Sequence, residues 1–294
     1  NHFFAFYTLD SEEEIDDSSK WIKSNPALGV IINKDDLLDK YNKVKNIQTD
    51  FDSCVIKQLN FYKDVADTWI PDNILKQAFR DFNINELKGC KAYAGVDLAA
   101  TRDLASLSIA IEKDNHIYTI TEFYYPDSEY NKIRRNGIDL QHWIDQGYII
   151  NTEMKTIDYD FIYERIIYYS NLFDLQAVGY DKWNSAMLIP NVELAGIQCN
   201  NCPQNASFFN APLKYLEKQI YENNISMQKN PVLRWNFRNV VLYRDGNDNI
   251  KIVKNKSLDA VDGVVSLAMA IGQYLEISGN DLFMKELYGT KESE

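Results

Sequence analysis

The spacing of apolar residues along the chain changes near residue 90. Before it, few runs read as strands. A short run over 3–9 reads as a possible strand, an acidic loop follows, and Leu37, Leu38, Tyr41 and Val44 recur at the helical period, predicting a helix over about 35–45. A second helix is predicted over about 71–82, with a proline in its first turn, where the missing N–H costs nothing. Beyond residue 90, three runs follow closely, over 92–98, 105–112 and 116–125, the last two joined by Lys113-Asp114-Asn115. Links this short predict antiparallel strands. Helical patterns then alternate with apolar runs: helices over about 140–146 and 159–173, a strand over 175–180, and helices near 185–188, 211–221 and 232–239. A hairpin over 240–244 and 250–253 turns at Asp245-Gly246-Asn247-Asp248, and a last helix covers about 259–274. Antiparallel strands followed by helix-linked strands predict an α/β fold, a mixed sheet with helices on both faces. The expected division is 1–88, 89–277 and a tail over 278–294.

Composition adds limits. Of 294 residues 45% are hydrophobic, including 19 tyrosines and 14 phenylalanines, enough to fill a sizeable core. No apolar stretch approaches the roughly 20 residues that span a bilayer, and none has the form of a secretory signal, which favours a cytosolic setting. The chain opens on Asn1 and an apolar run, which reads as a piece of a longer polypeptide. Of the four cysteines only Cys199 and Cys202 are closely spaced, and a structural zinc site usually wants a second such pair; reduced thiols are expected. A net charge of −12 argues against a protein that grips nucleic acid with its whole surface, yet leaves room for a local basic groove. Basic residues do gather at Arg234, Arg238, Arg244, Lys251, Lys254 and Lys256, while the acidic run over 11–17 reads as solvated surface. His2, His116 and His142 form no cluster, and no Gly-x-Ser-x-Gly word occurs.

Three aspartates stand against expected core: Asp97 in Ala94-Gly95-Val96-Asp97-Leu98, Asp181 in Gly179-Tyr180-Asp181-Lys182-Trp183, and Asp262 in Asp259-Ala260-Val261-Asp262-Gly263. A carboxylate is costly to bury alone, and three that converge suit hard divalent cations, Mg²⁺ or Mn²⁺. Each has an ordinary alternative. For Asp97 it is a strand-end turn residue, and for Asp181 a cap on the following helix. With Asp259 as N-cap, Asp262 falls at the third helical position, where an acid completes a capping-box-like pair. Lys182, Lys254 and Lys256 are surface lysines by default.

The order of these words resembles the ribonuclease H-like nuclease fold. Together with Arg102-Asp103-Leu104-Ala105-Ser106-Leu107, Asn230-Pro231-Val232-Leu233-Arg234-Trp235-Asn236 and Lys254-Asn255-Lys256-Ser257-Leu258-Asp259, they look like the carboxy-terminal nuclease domain of a tailed-phage large terminase subunit. Upstream, Trp21-Ile22-Lys23-Ser24-Asn25-Pro26 and the stretch 59–69 resemble the segment linking the packaging ATPase to that nuclease. The resemblance implies a metal-dependent DNA endonuclease of low sequence specificity. Asp97, Asp181 and Asp262 would be catalytic ligands of two Mg²⁺ or Mn²⁺ ions roughly 3.5–4 Å apart. Asp103 and Asp259 would lie beside them, and Lys182, Lys251, Lys254 and Lys256 would contact DNA. Implied partners are double-stranded DNA, the small terminase subunit, the portal protein and the ATPase domain of the same polypeptide, in the host cytoplasm and without a membrane. A complete large terminase carries a P-loop; no Gly-x-x-x-x-Gly-Lys-Ser/Thr word occurs here. Two other readings remain: a resolvase- or recombination-type nuclease of the same fold, and an inactive module that docks to DNA or the portal.

Overall fold

The computed structural model describes residues 5–45, 48–61, 69–98, 104–126, 134–135, 138–152, 156–182, 185–246, 249–254, 257 and 260–278. The chain divides into two compact units, Asn1–Thr68 and Trp69–Glu294.

In the first unit, helical turns at Glu12–Ile15 and Trp21–Lys23 precede α1 (Lys34–Val44) and α2 (Gln48–Leu59). Its core is small, built on Leu9, Trp21, Leu37, Tyr41, Val55 and Leu59. Trp21 is fully buried and its indole N–H donates to the Ile15 carbonyl at 3.0 Å, which satisfies the ring's one polar atom. The helix expected over 35–45 is α1, capped by the Asn33 side chain accepting from the Asp35 N–H. Residues 5–9 form no strand, and Phe6 and Tyr7 are exposed. Helix α2 was not expected, although Phe51, Val55 and Leu59 are spaced at one-turn intervals and pack in the core.

The second unit starts with α3 (Asp72–Ala78), then β1 (Lys91–Asp97), β2 (Ala105–Lys113), β3 (His116–Tyr125), β4 (Arg134–Arg135), β5 (Ile138–Asp139), α4 (Leu140–Asp145) and β6 (Ile150–Asn151). It continues with α5 (Tyr159–Leu172), β7 (Asp174–Tyr180), α6 (Ile189–Leu194), β8 (Cys199–Asn201), α7 (Ala206–Tyr221), β9 (Ile225–Met227), α8 (Pro231–Asn239), β10 (Leu242–Arg244), β11 (Ile250–Ile252) and α9 (Asp262–Ser278). Among the described residues the main sheet has seven strands in the order β6-β3-β2-β1-β7-β8, with β9 also on β3. β1, β2 and β3 are antiparallel neighbours, while β7 and β8 run parallel to β1. The β2–β3 turn places Asp114 and Asn115 at φ of 52° and 60°, as a two-residue hairpin loop of this hand requires.

Side chains alternate between two cores, as the pleat dictates. Ala92, Ala94 and Val96 face one that holds Ile162 and Ile166 of α5 and Val192 of α6. Tyr93 faces the other, with Leu213 and Leu216 of α7, Leu233 and Phe237 of α8, and most of α9. Helices therefore cover both faces, as expected. Helix α7 begins five residues earlier than the sequence pattern suggested: Asn205 caps it, and Pro212, which reads as a helix start, lies within it.

Residues 69–88 pack with the sheet. Trp69, Ile70 and Leu75 join its core, and Trp69 stacks on Phe237 with ring centroids 5.6 Å apart. Asp72 accepts from Arg234 Nε at 2.9 Å and Arg238 Nε at 3.0 Å, tying α3 to α8. The Arg234 guanidinium foremost, with Arg238, holds the Asp72 carboxyl below its usual value of 3.8. Because the unfolded chain protonates this group first, the stabilisation is present above pH 3.8 and disappears as pH falls through the lower folded value. Asp72→Asn is expected to cost about 1 kcal/mol in chemical denaturation at pH 7, a difference that shrinks in acid below the normal aspartate range.

Candidate active site

β1 and β7 are parallel, with Val96 opposite Tyr180, so Asp97 and Asp181 leave the sheet from the carboxyl ends of neighbouring strands. β1 is also where pairing changes from antiparallel, with β2, to parallel, with β7. The chain builds β2 and β3 on one side of β1 and β7 and β8 on the other, and open α/β sheets commonly bind ligands at the carboxyl ends of strands beside such a reversal of order.

Asp262 comes to this point from the other side, on the first residue of α9. The helix lies close against β1 because Gly95 has no side chain: a Cβ there would stand 2.1 Å from the Ser266 carbonyl oxygen and 2.5 Å from the Ala270 nitrogen. At Gly263 a Cβ would come within 2.4 Å of the Phe123 ring. Two asparagines of α8 hold the start of α9. Asn236 Oδ1 accepts from the Gly263 N–H at 2.9 Å, and Asn239 Nδ2 donates to the Ala260 carbonyl at 3.0 Å. Both are buried, and Asn236 gives α9 from another helix the cap that its own preceding residue usually supplies, while Asn239 fixes the backbone leading into it. Asp262 is thus not the third residue of a helix capped by Asp259; α9 begins at Asp262 itself, where the helix dipole favours a negative charge.

Beneath the carboxylates runs a line of buried hydroxyls. Ser106 Oγ donates to Ser266 Oγ at 2.9 Å, Ser266 lies 2.8 Å from Ser108, and Ser108 lies 2.9 Å from Thr121. These bonds join β3, β2 and α9 in the low-dielectric interior, where an unmade bond would be costly.

Lys254, just beyond β11, reaches into the acidic group. Its ammonium donates to Asp97 Oδ2 at 2.7 Å and lies 3.9 Å from Asp262 Oδ1. The Asp97 side chain is 6% exposed and that of Asp262 16%. Burial pushes the Asp97 carboxyl above the usual carboxylate range; Lys254 opposes the shift and the charge of Asp181 adds to it. Burial also disfavours the charged form of Lys254, but Asp97, Asp262 and Asp181 together outweigh it and hold the ammonium above its ordinary value. Asp97, Asp262 and Lys254 therefore meet directly, with Asp181 close enough to act on both Asp97 and Lys254.

Among the described residues, no three His, Cys, Asp or Glu side chains are drawn together tightly enough to ligate an ion. The donor set nevertheless fits a hard divalent cation. It is all carboxylate oxygen, largely buried, and a positive charge already sits in its midst.

Of the other sequence candidates, Lys182 is exposed next to Asp181 and Lys251 lies on β11 with its ammonium 5.8 Å from the Tyr243 ring centroid. Asp103, Asp259 and Lys256 lie outside the described residues. Cys199 and Cys202 are free thiols whose pKa burial pushes up to about 12, an unreactive setting. The sequence reading missed the contacts of Asn236, Asn239 and the serines. Two asparagines three apart on an amphipathic helix were the available signal, but only the tertiary fold shows whose backbone they serve.

The family described as terminase large subunit, endonuclease domain, matches residues 1–277. The chain is 24% identical over 272 residues to the terminase large subunit of Enterobacteria phage HK97, covering 90% of this chain and 53% of that protein. It is 25% identical over 306 residues to protein YmfN of Escherichia coli strain K12, covering 98% and 67%. The crystal structure of the HK97 bacteriophage large terminase matches with a TM-score of 0.63 at 22% identity, over 91% of this chain and 56% of that one. The chain spans about half the length of the HK97 protein. The mixed sheet and its helices are a ribonuclease H-like fold of the terminase type. With the match extending over residues 1–277, the chain belongs to the family of terminase large-subunit endonuclease domains.

Proposed function

We propose that this domain cuts concatemeric double-stranded DNA during viral genome packaging, with Asp97, Asp181 and Asp262 as the ligands of two divalent cations, Mg²⁺ or Mn²⁺. One observation carries the reading: a buried carboxylate, a partly buried one and a third within electrostatic reach gather around a single ammonium at the carboxyl ends of β1 and β7. When bound, the ions would activate water for attack on the phosphodiester and stabilise the charge on the leaving oxygen. The protein's part is to hold its ligands still. Asp97 is fixed by its pairing with Ser106 of β2, one residue beyond the pairing of Val96 with Tyr180 of β7, and Asp262 by the close approach at Gly95, the cap from Asn236 and the bond from Asn239 to the Ala260 carbonyl. Asp103 and Asp259 would support the ligands from the flanks.

Lys182, Lys251 and Lys256 supply phosphate contacts, which carry little sequence information, so site choice falls to the small terminase subunit. The ATPase domain of the same polypeptide, joined through residues 1–88, and the portal protein are the other partners, in the host cytoplasm. No helix among the described residues is long and apolar enough to cross a membrane.

A substrate panel tests the proposal. Plain duplex DNA, a four-way junction and an RNA–DNA hybrid are each incubated with Mg²⁺, Mn²⁺ or EDTA. Cleavage of plain duplex with either metal and none in EDTA is the expected result. Preference for the junction would indicate a resolvase-type enzyme, and intact duplex under all conditions an inactive docking module.

A further inference from the structure

Lys254 does more here than a surface lysine awaiting DNA. It lies between two carboxylates from different elements, 2.7 Å from Asp97 and 3.9 Å from Asp262, and the charge of Asp181 acts on it as well. Its ammonium is ion-paired to both Asp97 and Asp262. An ammonium is a compact point charge on a flexible four-carbon stem, able to satisfy several carboxylates at once and to withdraw by rotation of its own side chain. Its side chain is 39% exposed, so a route to solvent exists, whereas Asp97 on its strand has almost none. Unpaired carboxylates at this depth would repel one another and resist burial. The fold therefore depends on a positive charge at this point, and Lys254 supplies it.

Resting on the proposed metal-binding role of the three aspartates, we infer that Lys254 is a built-in counter-cation which competes with divalent metal for Asp97 and Asp262 and is displaced when metal binds. The carboxylates stay neutralised before the metal arrives, so the site keeps its shape. The competition also weakens metal affinity, making the nuclease need a higher metal concentration than the ligands alone would set.

Mn²⁺ titration calorimetry on the unmodified protein, Lys254→Met and Lys254→Arg tests this without reading cleavage. Methionine keeps most of the apolar stem and removes the charge. Mn²⁺ affinity is expected to rise about tenfold in Lys254→Met and to stay near the original in Lys254→Arg. Lys254→Met should also melt lower without metal and gain more from saturating Mn²⁺. Unchanged or weaker Mn²⁺ binding in Lys254→Met, with the unmodified protein binding normally, would overturn the inference while leaving the aspartate reading intact. Absence of Mn²⁺ binding in the unmodified protein would defeat both. Should Lys254→Met fail to fold, amine-reactive pulse labelling of the unmodified protein gives a second measurement. Labelling of Lys254 is expected to increase on addition of Mn²⁺, and no increase would count against displacement.

Discussion

Asp97→Asn, Asp181→Asn and Asp262→Asn should each slow metal-dependent cleavage of duplex DNA at least about a thousandfold, the factor that corresponds to roughly 4 kcal/mol of lost transition-state stabilisation. Each substitution keeps the side chain's shape and removes one charged oxygen. At Asp97 the amide oxygen still accepts from Lys254, and at Asp262 it still stands at the start of α9, so the fold is expected to survive. Circular dichroism and thermal melting separate the two effects: a variant that is inactive yet melts within a few degrees of the original has lost chemistry, not structure. Full activity in any one variant would remove that aspartate from the ligand set. Asp181 is the most exposed to this outcome, because it reaches the group through charge, whereas Asp97 and Asp262 share the ammonium directly.

Gly95→Ala is expected to be the most damaging single methyl in the sheet domain. The added carbon would sit 2.1 Å from the Ser266 carbonyl oxygen and 2.5 Å from the Ala270 nitrogen. Both are backbone atoms of a helix buried from Gly263 to Leu275, so no side chain can rotate away. Relief requires α9 to lift off β1, which would open its core and carry Asp262 away from Asp97. Overpacking usually costs about 1–3 kcal/mol, and a backbone-to-backbone clash places this variant at or beyond the upper end. Chemical denaturation should show the loss, with cleavage at 25 °C falling in parallel. A stability loss below about 1 kcal/mol would mean that α9 moves freely over β1 and that the close approach does not fix the site.

What the sequence revealed depended on how local each cause is. β1, β2, β3, β7 and α5 were legible because continuous apolar runs and a Lys-Asp-Asn turn fix them within a few residues. The three aspartates stood out because each interrupts such a run. The place of Trp69 and α3 in the sheet domain was not visible: their partners, Phe237, Arg234 and Arg238, lie about 160 residues away. β9, only three residues long, is held by pairing with β3 and has no pattern of its own. The start of α9 was misjudged for a similar reason. Asp259 has the right chemistry for a cap, but the helix end is held by Asn236 and Asn239 of α8. Lys254 shows the limit most clearly. In sequence it belongs to a basic cluster and suggests DNA, and only the fold brings its charge to Asp97, 157 residues away along the chain.

The most direct measurement is the anomalous scattering of Mn²⁺ in crystals of this domain grown or soaked with the metal. Anomalous density among the carboxylates of Asp97, Asp181 and Asp262 is the result expected, absent in crystals of Asp97→Asn treated the same way. Mn²⁺ density confined to other sites, from a preparation that cleaves duplex DNA in the same Mn²⁺ concentration, would show that the nuclease centre lies elsewhere.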